Sequence, residues 1–355
     1  MVEPRFGDVY PEALLAAREA KLRRFWAGTG PRAVLSINNG KFAYRQIDDD
    51  DLIVKNAVQQ ILTSADLSPD YLPWFGPDFG TVSSPQAWGG EVVCPEGGCP
   101  FIKPVIHTVA DVDRVRPGNP GGGDVARAVK LAARVKQRLG TDRIWCRCID
   151  LQGPLSTAGL LWDQEDFFCS MRTDADAVHR LLDQVTTHLI AMIRAMKDGM
   201  GPLCGMVWPY IWLPDDLGVV FTEDLMPLMS PRLYQEFGLP YMKRLATAFG
   251  GAFIHCCGAF EQHIPALAAS GAPILGFDYA EPDTRTAALY DAFGPGLVYH
   301  VGLAPRFEAK WPTAGKFLEH LAKSAPADMR FFFTLDAAWP DAPEREGAIR
   351  RLFLS

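Results

Sequence analysis

The chain has 355 residues, 48% of them hydrophobic and 22% charged, which is the composition of a globular protein with a large core rather than of a disordered, fibrous or membrane-embedded one. A formal net charge of −7 argues against a broadly basic face for nucleic acid, and no nucleic-acid partner is expected. The amino terminus, Met1-Val-Glu-Pro-Arg-Phe6, has no basic-then-apolar leader pattern, and no uncharged apolar run is long enough to cross a bilayer, so a cytoplasmic protein that does not enter membranes is expected.

The first element is an amphipathic helix over residues 11–26, where Leu14, Leu15, Ala17, Leu22 and Phe25 recur at roughly helical spacing among Arg and Lys. Ala33-Val-Leu-Ser-Ile37 is a candidate first strand. From there to about residue 123 the chain is rich in Pro, Gly and aromatics, and helices are expected at 51–63 and 111–115 between long loops. Tyr71–Gly90 carries Trp74, Phe75, Phe79 and Trp88 among prolines and glycines. Such a stretch is either a lid or binding element, or a cover whose aromatics plug the barrel end; exposed aromatics in loops of this kind would suit a homodimer.

Eight cysteines are too few for a disulfide scaffold in a chain this long, and Cys146, Cys148, Cys256 and Cys257 fall inside candidate strands, so free thiols are expected. Cys94 and Cys99 are spaced more widely than a zinc knuckle and no second pair follows; they are read as a plain loop.

A regular rhythm begins after Gly122. Val125, Ala128, Val129, Ala132, Val135 and Leu139 make one helix face, and Arg143-Ile-Trp-Cys-Arg-Cys-Ile149 follows as a strand that stops at Asp150. A long helix is expected over 174–197, with Thr173 or Asp174 as its N-cap. His179 and His188 on it are read as surface or packing residues. Gly205–Trp212 is the next extended run, ending at Asp215 and Asp216, and 231–249 is helical with an interruption at Pro240. The strand Ala252-Phe-Ile-His-Cys-Cys-Gly258 comes next, then a helix at 260–269, a strand at 273–277 ending at Asp278, and a helix at 286–293. Strands at 297–301 and 330–335 close the pattern, with helices near 314–323 and 344–353.

Nearly continuous apolar strands alternating with helices indicate parallel pairing buried on both sides. Seven strands are visible. The expected fold is therefore an α/β, (β/α)8 TIM barrel with one further strand between residues 40 and 125, formed by one domain over 33–355 behind an N-terminal helical extension over 1–32. An open doubly wound sheet is the alternative, but no Gly-x-Gly-x-x-Gly follows the first strand.

Polar residues collect just after the strands: Asp150 and Gln152, Asp215 and Asp216, His255 and Cys257, Asp278, His300 and Asp336. In a barrel these positions meet at the carboxyl-terminal mouth, where active sites of this fold are built. His255 and Cys257 are two apart, so on a strand they share a face and can converge on one metal ion. Cysteine and histidine are also common packed-core residues, and tetrahedral zinc needs at least three protein ligands. Asp336 stands at a strand end where its carboxylate could be the third. With an open fourth position, that site would hold a thiol as its thiolate and favour thiol alkylation, although a metal-bound hydroxide doing hydrolysis uses the same parts.

Three stretches give the chain a family likeness from about residue 70 to its end: Gly153-Pro-Leu-Ser-Thr-Ala158; Asp215-Asp-Leu-Gly218 leading to Met229-Ser-Pro-Arg-Leu-Tyr-Gln-Glu-Phe237 and Leu239-Pro-Tyr241; and Ile254-His-Cys-Cys-Gly258. Together they resemble the uroporphyrinogen decarboxylase superfamily, in particular its zinc-dependent, corrinoid-linked methyltransferase branch. The resemblance implies a (β/α)8 barrel and a zinc site in which His255 and Cys257 are joined by a cysteine from a Gly-Cys-Gly segment after the last strand. Here that segment is similar to Thr334–Pro343, and Asp336 falls where the cysteine would be. Decarboxylases of the superfamily also carry an amino-terminal Arg-Gln-Ala-Gly-Arg motif that grips porphyrinogen carboxylates, which this chain lacks.

The expected function is thus methyl transfer between a small methylated substrate or thiol and a corrinoid (cobalamin) carried by a separate protein. Zinc would be held by His255, Cys257 and Asp336. Asp215, Asp216 and Glu223 would orient substrate, and Gln152, Asp278 and His300 would line the cofactor side. Two alternatives stand beside it: a metal-free decarboxylase acting on a tetrapyrrole or another carboxylated substrate, with Asp150 as the pyrrole-binding carboxylate, and a non-catalytic barrel that binds a corrinoid or a partner protein.

Overall fold

A computed structural model describes residues 4–39, 48–96, 98–281, 283–302 and 311–354. Its strands are β1 (Ala33–Asn38), β2 (Trp74–Phe75), β3 (Val92–Val93), β4 (Phe101–Ile102), β5 (Trp145–Cys148), β6 (Leu203–Met206), β7 (Val219–Thr222), β8 (Ala252–His255), β9 (Ile274–Tyr279), β10 (Val298–Val301) and β11 (Arg330–Asp336). Apart from the antiparallel β3–β4 hairpin, every ladder is parallel. One arc runs β1-β11-β10-β9-β8-β7 and a second runs β2-β5-β6.

The arcs meet at two seams. After β5 the chain continues to Gln152, which bridges to Thr222 of β7, with Thr222 N donating to Leu151 O at 2.9 Å. At the other seam the Trp74 indole on β2 donates to Asn38 Oδ1 on β1 at 3.1 Å. The buried strands and their covering helices form the expected TIM-barrel-like arrangement. β2 lies in the interval where a further strand was expected, whereas β7 was not foreseen.

The run 205–212 is strand only through Met206. Beyond it the chain bends through a cis Trp208–Pro209 bond, because a proline has no N–H to continue a ladder. Two helices absent from the sequence reading, Pro154–Leu161 and Gln164–Thr173, follow β5. The segment expected as helix at 111–115 is a 3-10 turn over Val109–Asp113. Asp174 takes the N-cap place of the helix Ala175–Met200, yet its side chain makes no capping bond. The interruption near Pro240 is a widened π turn over Tyr234–Gly238, which accommodates a ring that would otherwise strike the preceding turn. Between β9 and β10 the backbones approach so closely that a Cβ on Gly276 would sit 1.9 Å from Val298 O, so only glycine fits there.

The helix Glu12–Trp26 lies across the amino-terminal ends of the strands. Leu15, Leu22, Phe25 and Trp26 are buried, the Trp26 indole donates to Trp212 O at 2.7 Å, and Arg330, the first residue of β11, donates to Phe25 O and Trp26 O. Trp74, Phe75, Phe79 and Trp88 are buried in the core. They therefore present no exposed aromatic surface for a homodimer. No helix among the described residues is long and apolar enough to cross a membrane.

Candidate metal centre

β8 delivers His255 at its carboxyl end, with Thr222 of β7 in register on one side and Asp278 of β9 on the other. Just past β7, Asp224 turns toward the same point. Its Oδ1 accepts from Cys257 N at 3.1 Å and lies 4.0 Å from His255 Nε2. Cys257 Sγ is 3.0 Å from that nitrogen. Each of Asp224, His255 and Cys257 thus offers one ligand atom, and these atoms all lie within 4.8 Å of one another.

Zinc bound at about 2.0–2.3 Å to N, O and S donors needs ligand atoms roughly 3.3–3.8 Å apart, so the three fit the ion with shifts of less than about 1 Å. The Asp224 side chain is 39% exposed and His255 is 8% exposed, which leaves the cluster open on one side. One nitrogen, one thiol and one carboxylate with an open side is the donor set of a zinc site that takes a further ligand.

Behind the cluster, His255 Nδ1 donates to Asp278 Oδ2, and Asp278 Oδ1 accepts from His300 Nδ1 at 2.6 Å. Burial alone would drive the His255 pKa down, but the Asp278 charge and hydrogen bond, with Cys257 beside them, outweigh it and hold that pKa well above the ordinary imidazole range. Ligation at Nε2 accordingly releases a proton. For Asp278, burial acts upward and is overcome by the two histidines, which keep the carboxyl ionised far below the usual range.

Asp150 stands at the end of β5, where Gln152 Nε2 donates to it at 3.1 Å. Burial first, then the charge of Asp78, pushes its pKa up to about 7. The Trp208 ring is edge-on to His255 with centroids 6.4 Å apart, and Tyr210 packs against Trp208 at 5.2 Å. Burial raises the Tyr210 pKa, and the neighbouring Asp78 and Asp336 charges raise it further.

Other expected positions lie outside the three-residue cluster. Asp336 Oδ1 accepts from Ala338 N at 2.9 Å, and Asp336 does not belong to the three-residue cluster; the carboxylate beside His255 and Cys257 is that of Asp224. Asp215 and Asp216 precede β7 and so lie at the amino-terminal end of the barrel, paired with Arg23 at 3.6 and 3.0 Å. They are remote from the mouth because parallel strands put their starts and ends on opposite faces.

Glu223 is fully buried. Its Oε1 accepts from Ser156 N and Oγ, both at 2.8 Å, at the start of the helix Pro154–Leu161. Burial raises its pKa to about 7 against the lowering effect of those bonds. His179 donates or accepts at Tyr241 and stacks on Phe237, while His188 packs edge-on to Trp88. A cleft of about 590 Å³ lined by Phe6, Tyr10, Glu12, Arg138 and Arg143 contains none of the cluster residues. The sequence signal that could have found Asp224 is its place after the short apolar strand Val219–Thr222.

The profile of the uroporphyrinogen decarboxylase (URO-D) family matches residues 76–205 and 217–298, more than half of the chain. No curated protein matches. Among solved structures the fold is similar to that of a methyltransferase from Methanosarcina mazei, at 14% sequence identity and a TM-score of 0.68, with 95% of this chain and 99% of that one covered.

Proposed function

The chain belongs to the uroporphyrinogen decarboxylase family, and from that premise we propose that it is a methyltransferase moving a methyl group between a small methylated substrate or thiol and a corrinoid, at a zinc site held by Asp224, His255 and Cys257. The convergence of those three ligand atoms within 4.8 Å carries the reading, and the full-length likeness in fold to a methyltransferase supports it. When bound there, zinc supplies Lewis acidity that keeps a thiol ionised or polarises a leaving group.

The protein's own residues do the rest. Trp208, backed by Tyr210, walls one side of His255 and limits water beside it. Asp150, with a pKa near 7, is matched to neutral pH and takes the proton that an incoming thiol gives up, or returns one to a departing group. Asp224, the most exposed of the three ligands, stands where substrate enters. The corrinoid is carried by a separate protein that docks on this open side.

Metal analysis tests the proposal. Purified protein is expected to hold about one zinc per chain, the stoichiometry of a single three-ligand site, and His255→Ala to hold none. Consumption of methylcobalamin by the loaded protein, followed in the visible spectrum with a simple thiol as acceptor, is expected to stop in the same variant. Protein that is metal-free as isolated and takes up no zinc, yet decarboxylates a tetrapyrrole, would overturn the reading.

A further inference from the structure

His255, Asp278 and His300 lie directly opposite one another on the neighbouring strands β8, β9 and β10. Residues in register across a sheet share a face, so one level of the barrel wall carries imidazole, carboxylate and imidazole in a row. All three side chains are buried, as is Thr334 on β11. They form an unbroken run of hydrogen bonds: Cys257 Sγ to His255 Nε2 at 3.0 Å, His255 Nδ1 to Asp278 Oδ2, Asp278 Oδ1 to His300 Nδ1 at 2.6 Å, and His300 Nε2 to Thr334 Oγ1 at 2.7 Å.

In the form that can ligate a metal ion, with the His255 Nε2 proton released and the carboxylate ionised, one proton assignment satisfies every atom in this run. The Thr334 hydroxyl donates to His300 Nε2, His300 Nδ1–H donates to one oxygen of Asp278, and His255 Nδ1–H donates to the other. That leaves the His255 Nε2 lone pair aimed at Cys257 and Asp224, which is the tautomer a metal ligand requires. A carboxylate placed only to fill the core would not need to direct two imidazoles with opposed Nε2 atoms.

We propose that Asp278 and His300 are positioning residues that fix the tautomer and aim of the His255 ring for a metal ion, Asp278 directly and His300 by holding Asp278. This rests on the metal reading given above. Fixing a ligating histidine from behind is worth about 10–100-fold in metal affinity, and the effect should fade with distance along the run.

Binding of Co²⁺ and Zn²⁺ to the full chain, measured by competition with a chromophoric chelator, tests this with Asp278→Asn, His300→Gln and Thr334→Val. Affinity is expected to fall by about 10–100-fold in Asp278→Asn, by less in His300→Gln and least in Thr334→Val. The ligand-field bands of bound Co²⁺ should shift in the first two, with cooperative unfolding retained. The double variant Asp278→Asn/His300→Gln should bind no more weakly than the sum of losses allows and is expected close to Asp278→Asn alone, because both act through one ring. Should Asp278→Asn fail to fold, His300→Gln still decides. Wild-type affinity and spectrum in the folded variants would overturn the proposal while leaving the metal site standing; a wild-type protein that binds neither ion would remove the metal reading itself.

Discussion

Asp224 and Glu223 are neighbours in sequence with opposite surroundings. Successive side chains leaving a strand point to opposite sides, so Glu223 turns inward beneath Gly153 and Ser156 while Asp224 turns to His255 and Cys257. Removing one of three protein ligands should cost a zinc site heavily. Asp224→Ala is expected to weaken zinc binding by about 100-fold or more, at the upper end of what even an outer partner is worth, whereas Asp336→Ala should leave the affinity within about threefold, the scatter of a neutral substitution. Chelator competition reads both, and the reverse order of effects would return the third ligand to Asp336. His255 and Cys257 were legible in the sequence because i, i+2 spacing on a strand fixes a shared face. Asp224 was not, because the four-residue strand before it is shorter than the apolar run 205–212 that drew the strand assignment.

Long elements with a clear period could be read from the sequence, and short or uniformly apolar ones could not. The helices Glu12–Trp26, Gly123–Leu139 and Ala314–Ser324 stand near their expected places because each has one buried face. The helix Pro154–Leu161 is buried nearly all round and so shows no period, and β2 is two residues long. The helix Ala175–Met200 carries a pH response of its own. Burial lowers the pKa of His188 to about 4 from 6.5, and its Nε2 has no hydrogen-bond partner among the described residues. Between those values the unfolded chain binds a proton that the folded chain does not, so stability falls as pH drops from 6.5 toward 4. His188→Met keeps the apolar contact with Trp88 and removes the titration. Urea unfolding across that range is expected to give a flatter acid limb for the variant; parallel limbs would show that the ring is not held neutral.

At the scale of the whole molecule the two ends of the barrel divide the work. The carboxyl ends of the strands carry the candidate metal cluster, and the amino ends are sealed by the helix Glu12–Trp26, which the sequence reading set apart as an extension. Its attachments reach β11 through Arg330, the segment after β6 through the Trp26–Trp212 bond, and the chain before β7 through Arg23 with Asp215 and Asp216. Lys21 also pairs with buried Asp70, whose second oxygen accepts from Leu35 N of β1 at 2.9 Å. Burying Leu15, Leu22, Phe25 and Trp26 contributes roughly 6–12 kcal/mol, comparable with the about 5–15 kcal/mol that separates a folded domain from its unfolded chain. We therefore propose that residues 4–32 and the barrel form one cooperative unit. A variant lacking residues 1–27 should lose its cooperative thermal transition and, with it, zinc binding at the far end, even though no deleted residue lies within the metal cluster. Retention of a sharp transition and of wild-type zinc affinity by that variant would make the helix an accessory to a barrel that stands without it.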